Sequence, residues 1–398
     1  SSFKPVFVLK GMKLKDSSAS YIRKGLVVLQ FSVSIILIIS TIVIYQQIQH
    51  VKDRNLGFNK SNLLQVDIRG EAAKYYPSLK QDIMNTGVVE SAALSDYVVL
   101  YDGNNTGSIT WEGKDPNAQI LISGRYVTPG FFGTTQMKLI KGRDFVETDS
   151  ADSKNLNIVI TQSLEKLMGK ESALGKVMWN KGDTSGQKMT VVGVVNDYLY
   201  GNMYGKPDPV AFTCTSPEHT GIMYVRLKEQ EHTEQALAKI EAVMKKNNPA
   251  YPFSYQFVDD QFNRMFLNEQ LIGQLAKVFA TLAIIISCLG LFGLAAFTAE
   301  RRTKEIGVRK VLGASVAGIT GLLSKDFLKL VVLSCLVAFP LSAWIMNNWL
   351  KNYQYRITIS WWIFLAAGVT AIIIALLTIS FQSIKAAMAN PVKSLRTE

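Results

Sequence analysis

Few of the 398 residues are of a type and spacing that could do chemistry. Asp144, Glu147, Asp149 and Asp152 make an acidic run of the kind that shares a cation or a proton. All four sit in one polar stretch, which reads as a solvated loop. Asn196-Asp197-Tyr198 puts a carboxylate beside a phenol after a strand-like run, and a strand-end turn accounts for it. Gly169-Lys170-Glu171-Ser172 and Gly175-Lys176 lack the upstream glycine spacing of a phosphate-cradling loop. There is no Gly-x-Ser-x-Gly, no His-Glu-x-x-His and no Cys–His pairing. His50, His219 and His232 stand apart from cysteines and carboxylate clusters, which argues against a metal site. Cys288 and Cys335 lie in apolar runs and Cys214 stands alone, so no disulfide framework is expected. No catalytic, cofactor-binding or metal residue emerges, and the chain is not expected to be an enzyme.

Charge locates the elements that matter instead. The net charge is +12, yet residues 46–270 carry 24 Lys and Arg against 26 Asp and Glu. All the excess positive charge therefore flanks the apolar segments, as positive loops flank membrane spans; a nucleic-acid groove would concentrate it. Four stretches free of Asp, Glu, Lys and Arg are long enough to cross a bilayer: Leu26–Tyr45, Val278–Ala299, Leu330–Leu350 and Ile357–Ile384. Lysines and arginines crowd before the first, after the second and after the fourth, so those ends are expected in the cytoplasm. Trp344, Trp349, Tyr353, Tyr355, Trp361 and Trp362 mark the opposite interface, and residues 46–270 then lie outside the cytoplasm. Gly290, Gly293, Ala367, Ala371 and Ala375 have the spacing that lets helices approach closely, and Pro340 is expected to bend its span. With no ionisable group inside the spans, a substrate path through them is not expected.

The large inserted region alternates strand and helix patterns. Leu63–Ile68, Ala73–Asn85 and Val88–Leu94 read as strand, helix, strand, and Ile222–Leu227, Thr233–Lys246 and Phe253–Phe257 repeat the order. Such halves at the two ends suggest one split ferredoxin-like α+β subdomain. Residues 111–217 between them look β-rich. The expected layout is a cytoplasmic segment 1–25, a span 26–45 and an outer domain 46–270. That domain divides into a split subdomain, about 60–110 and 218–260, and a β-rich insert, about 111–217. Spans 271–299, 325–350 and 357–384, a short cytoplasmic helix 300–316 and a cytoplasmic tail 385–398 complete it.

The most informative segment runs from Glu300 to Ser315. Glu300, Arg301, Arg302, Lys304, Glu305, Arg309 and Lys310 are charged. Ile306, Val311 and Leu312 give an apolar edge, Gly313 is placed to end a helix, and Ser315 to cap the next. A positive-inside anchor explains the charge alone. Two acids, an apolar edge and a defined stop point further, to a docking helix for a cytoplasmic partner.

This segment, with Gly307 and Ala314 in their places, resembles the motif after the second span of MacB/FtsX-like ABC transporter permeases. The order of one helix, large domain and three helices is similar. So are Gly124–Phe132, Lys141-Gly-Arg-Asp-Phe145, Val192–Tyr198 and the ending Ala389–Arg396. The resemblance implies a four-helix membrane protein with an α+β periplasmic domain, multi-pass in the bacterial inner membrane. It implies a separate cytoplasmic ABC ATPase dimer that binds the ATP, so that the chain itself holds no cofactor. Motion of that ATPase would pass through Glu300–Ala314 to the outer domain (mechanotransmission), and substrate would be exported or extracted on the periplasmic side. Further implied partners are a second permease unit and a periplasmic adaptor or lipoprotein. The opening Phe3–Gly11, with Arg23–Ser32, resembles the start of the second unit of tandem permeases, which implies a C-terminal half; otherwise a homodimer is expected. The alternative is an FtsX-type regulator of a periplasmic cell-wall hydrolase, without transport. The large two-part outer domain favours transport.

Overall fold

A computed structural model describes residues 15–149, 155–182, 187–229, 232–302, 305, 308–309 and 312–388. Two compact units emerge, Asp53–Leu267 and the remainder.

The membrane unit holds α1 (Lys15–Lys52), α7 (Leu267–Arg301), α8 (Val316–Leu350) and α9 (Trp361–Met388). All four are long and apolar enough to cross a membrane. The helices outrun the apolar stretches because Gln46–Lys52 and Asn268–Lys277 keep good helix formers in register beyond the hydrocarbon. At one point the helix is shorter than the apolar run: α9 starts at Trp361, not Ile357. The Ile357 amide is taken by Oε1 of Gln47 at 2.9 Å, which holds residues 357–360 out of the helix. Alternating faces pack a core of Ile35, Ile39, Val331, Ala338, Ala367 and Ala375, all buried. Ala367, Ala371 and Ala375 line up on the packed face as their spacing predicts. Gly290 sits where a Cβ would lie 2.5 Å from Oε1 of Gln30, whereas the space beside Gly293 is open. Hydroxyls join the helices: Ser34 and Ser287 are 3.1 Å apart, and Ser334 donates to the Val28 carbonyl at 3.1 Å. α8 continues through Pro340.

The second unit contains a split ferredoxin-like layer. β1 (Leu63–Asp67), α2 (Tyr76–Asn85) and β2 (Val89–Ser95) form its first half; β11 (Ile222–Leu227), α5 (Thr233–Asn247) and β12 (Tyr255–Phe257) form its second. The strands lie in the order β12-β1-β11-β2, all antiparallel. Leu64, Val66, Leu94, Met223 and Val225 meet Leu79, Ile83, Ala236 and Ile240 of the two helices. The short helices α3 (Phe131–Thr135) and α6 (Val258–Arg264) pack on strands of the same layer.

A second core lies between these halves in sequence. It is built on β4 (Ile109–Trp111), β5 (Ile122–Val127), β7 (Asn155–Thr161), β8 (Val177–Asn180), β9 (Lys188–Val195) and β10 (Val210–Cys214). β3 (Asn105–Thr106) and β6 (Leu139–Gly142) pair at its margins, and α4 (Gln162–Leu167) covers it through Leu164. The two cores share one sheet, joined where Ser95 of β2 pairs with Val127 of β5.

Candidate functional site

α7 ends at Arg301, and the chain turns back into α8 at Val316. Leu312 donates to the Val308 carbonyl at 3.0 Å and Ala314 to the Arg309 carbonyl at 2.9 Å. With Gly313 at φ +88°, this is the reverse turn that closes a helix on a glycine. Ser315 then caps α8, its hydroxyl accepting from the Gly318 amide at 3.1 Å. The apparatus leaves Leu312 80% exposed and Val308 49% exposed. Two apolar side chains are thus held outward by a turn whose geometry is fixed by Gly313 and Ser315.

Arg309 pairs with Glu305 at 2.8 Å within one helical turn. Arg302 reaches Asp326 of α8 at 3.3 Å, and Lys329 reaches the same carboxylate at 3.4 Å. Arg301 lies 4.8 Å and Arg23 of α1 4.5 Å from the centre of the Phe297 ring. Glu300, Gly313 and Ala314 are exposed. Thus Glu300, Arg301, Arg302, Glu305, Arg309, Leu312, Gly313 and Ala314 lie along one turn between two spans. Lys304, Ile306, Gly307 and Lys310 fall outside the described residues. Arg23, Asp326 and Lys329 neighbour this segment without being part of the turn, and in the sequence each is only a charge near an apolar run.

The other candidates resolve into structure. Asn196 donates to the Gly57 carbonyl at 2.7 Å, Asp197 accepts the Ser163 amide at 2.6 Å, and Leu199 donates to the Leu56 carbonyl at 2.8 Å. The strand end is therefore a latch for the chain that follows α1. Gly57 has φ +82°, and a Cβ there would lie 2.0 Å from the Asp197 carbonyl oxygen. The acidic run departs from the solvated-loop expectation at Asp149. Its buried carboxylate takes Arg143 at 2.6 Å and 3.0 Å, the Val146 amide at 2.9 Å and Asn157 at 2.6 Å. The guanidinium hydrogen bonds hold its pKa down at about 2. Asp152 lies outside the described residues. Burial pushes the Cys214 thiol up to about 12, far from a reactive thiolate. No grouping of three or more His, Cys, Asp or Glu fit for a metal occurs among the described residues.

Comparison with known proteins identifies the family. Residues 25–243 match the family profile of the MacB-like periplasmic core domain, and residues 277–391 that of the FtsX-like permease C-terminal region. A macrolide export ATP-binding/permease protein, MacB of Chromobacterium violaceum, is 24% identical over 58% of the chain and 35% of its own length. The ABC transporter permease YknZ of Bacillus subtilis is 22% identical over 68% of the chain and 69% of its own. The crystal structure of the periplasmic region of MacB from Actinobacillus actinomycetemcomitans aligns with a TM-score of 0.37 at 15% identity, over 55% of this chain and 98% of that one. The chain thus spans about a third of the MacB relative's length. The first profile alone takes in more than half of the chain, and the second takes in the remaining spans. The chain belongs to the MacB/FtsX-type family of ABC transporter permeases.

Proposed function

We propose that the chain is the membrane subunit of an ABC system and transmits the motion of a separate ATPase to its outer domain. The observation that carries this reading is the turn at 305–315, with Leu312 and Val308 exposed among charges. The MacB relative's name joins ATP binding to permease, and these 398 residues hold no phosphate-cradling loop. Nucleotide would accordingly sit on a partner, with no cofactor on this chain and no catalytic residue in it. The flanking charges favour a topology with 300–315 in the cytoplasm and Asp53–Leu267 on the periplasmic side of a bacterial inner membrane. A second permease unit, homologous or identical, would complete the site for an ATPase dimer.

In this reading, closure of the ATPase pair pushes the 305–315 turn. α7 and α8 carry the displacement, and the outer domain moves substrate on the periplasmic side, with an adaptor or lipoprotein as further partner. The two-core outer unit favours export or extraction over regulation of a hydrolase. Co-purification tests the proposal. The detergent-solubilised chain should bring down an ABC ATPase, and Arg309→Glu with Leu312→Asp should abolish capture while gel filtration stays unchanged. Undiminished capture by that variant would refute the assignment.

A further inference from the structure

We propose that the cleft where α1, α7 and α8 converge, beside the coupling turn, binds the phosphate headgroup of an anionic phospholipid. The inference depends on the helices being embedded in a bilayer and is independent of the ATPase reading. The cleft has a volume of about 410 Å³. Five cationic side chains line it: Arg23 and Lys24 from α1, Arg301 and Arg302 from α7, and Lys329 from α8. Among the described residues its one carboxylate is Asp326.

Positive-inside orientation accounts for basic residues at these helix ends but not for their convergence on one cleft. Like charges on three helices repel, and among the described lining residues the cations outnumber the carboxylates. Asp326 meets Arg302 at 3.3 Å and Lys329 at 3.4 Å, longer than the about 2.7–2.9 Å of a tight charge-assisted hydrogen bond. It is shared rather than satisfied by either. Arg23 and Arg301 both sit over the Phe297 ring, at 4.5 Å and 4.8 Å, which brings two guanidiniums from different helices to one place. A guanidinium fork matches phosphate oxygens, and a lysine adds a point charge.

The remaining lining selects a lipid over a free anion. Leu294, Phe297, Phe327 and Leu330 share the wall with the cations, so one side of the cleft is apolar. Arg301 stands two residues past the charge-free run Val278–Ala299, after Glu300, which puts the cations at headgroup depth. Leu26 and Leu29, one and two turns further into α1 than Arg23, are 54% and 62% exposed and offer a surface for acyl chains.

Native mass spectrometry of the full chain in detergent tests this, with phosphatidylglycerol or phosphatidylcholine added. Phosphatidylglycerol should be retained and phosphatidylcholine lost. Lys24→Gln with Lys329→Gln should weaken phosphatidylglycerol binding by about 30-fold, from about 1 kcal/mol per cation. Lys277→Gln with Lys351→Gln, away from the cleft, should bind as the wild type does. Asp326→Asn breaks both ion pairs but raises the local charge, so its binding should be tighter than or equal to wild type. Equal retention of the two lipids, undiminished binding by the Lys24/Lys329 variant, equal loss in the Lys277/Lys351 variant, or loss in Asp326→Asn would each overturn the proposal. Displacement by excess inorganic phosphate, at an ionic strength matched with chloride, would assign the site to a free anion and overturn the lipid. ATPase capture by the Lys24/Lys329 variant is expected to persist, which separates this result from the coupling test.

Discussion

Arg226 is 2% exposed and donates to three carbonyls, those of Thr134, Ser61 and Asn59, each at 2.7 Å. Burial lowers its pKa, yet the three acceptors hold it in place. A lysine cannot present that fork, so Arg226→Lys should destabilise the outer unit by about 3 kcal/mol, read by urea unfolding. A change within about 0.5 kcal/mol, the range of an ordinary surface substitution, would contradict this account. Asp149 makes the pH-dependent case. Its folded pKa, about 2, lies below its ordinary 3.8. Its contribution is therefore complete above pH 3.8 and is lost as pH falls towards 2. It amounts to about 2 kcal/mol, because each unit is worth about 1.4. Asp149→Asn should remove it and flatten the acid limb of stability against pH; an unaltered limb would refute the role. The sequence placed Asp149 in a solvated run because its neighbours are polar. What buries it is Arg143 folding back and Asn157 arriving from β7, neither of which a local reading weighs.

Among elements, the alanine face of α9 was legible from spacing, since a four-residue repeat of small residues has one purpose between packed helices. Ala371 is 3% exposed, and Ala371→Leu should overpack the bundle by about 1–3 kcal/mol, seen as a lower thermal midpoint in detergent. The tie between α1 and the α8–α9 loop was not legible. Gln47 is 1% exposed, donates to the Tyr355 carbonyl and accepts the Ile357 amide, each at 2.9 Å, while His50 stacks on Tyr355 at 4.4 Å. A glutamine just past an apolar run looks like any interfacial polar residue until its distant partners are known. Gln47→Leu should cost about 2 kcal/mol by orphaning two backbone groups, and proteolysis between Lys351 and Ser360 should quicken. An unaltered cleavage rate would sink the clamp.

At the scale of the whole molecule, the four spans were legible because a bilayer dictates helix length and forbids charge. The split ferredoxin-like layer was legible because each half is a local strand–helix–strand unit. The single sheet running through both cores was not, because its joint at Ser95 and Val127 is a long-range pairing that no pattern announces. Likewise the turn before α8 was visible in Gly313 and Ser315, which shape it, while Arg23 and Asp326 come beside it only through helix packing. The proposed topology has a direct check. In intact cells an impermeant thiol reagent should label a cysteine replacing Lys351 and spare one replacing Leu312; the reverse pattern would invert the molecule. One asymmetry remains among the helices. α1 packs closely with α8 and α9, and α8 with α9, whereas α7 makes no approach as close to any of them. Ser34 with Ser287, Gly290 beside Gln30 and Phe292 near Phe381 are among its few ties. A 35-residue helix is about 52 Å of stiff rod at 1.5 Å per residue, and in the chain this one runs from the end of the Asp53–Leu267 unit to the segment that precedes α8. In the proposed coupling, α7, the helix least packed on the other three, is the one that a push on the 305–315 turn would slide along α1.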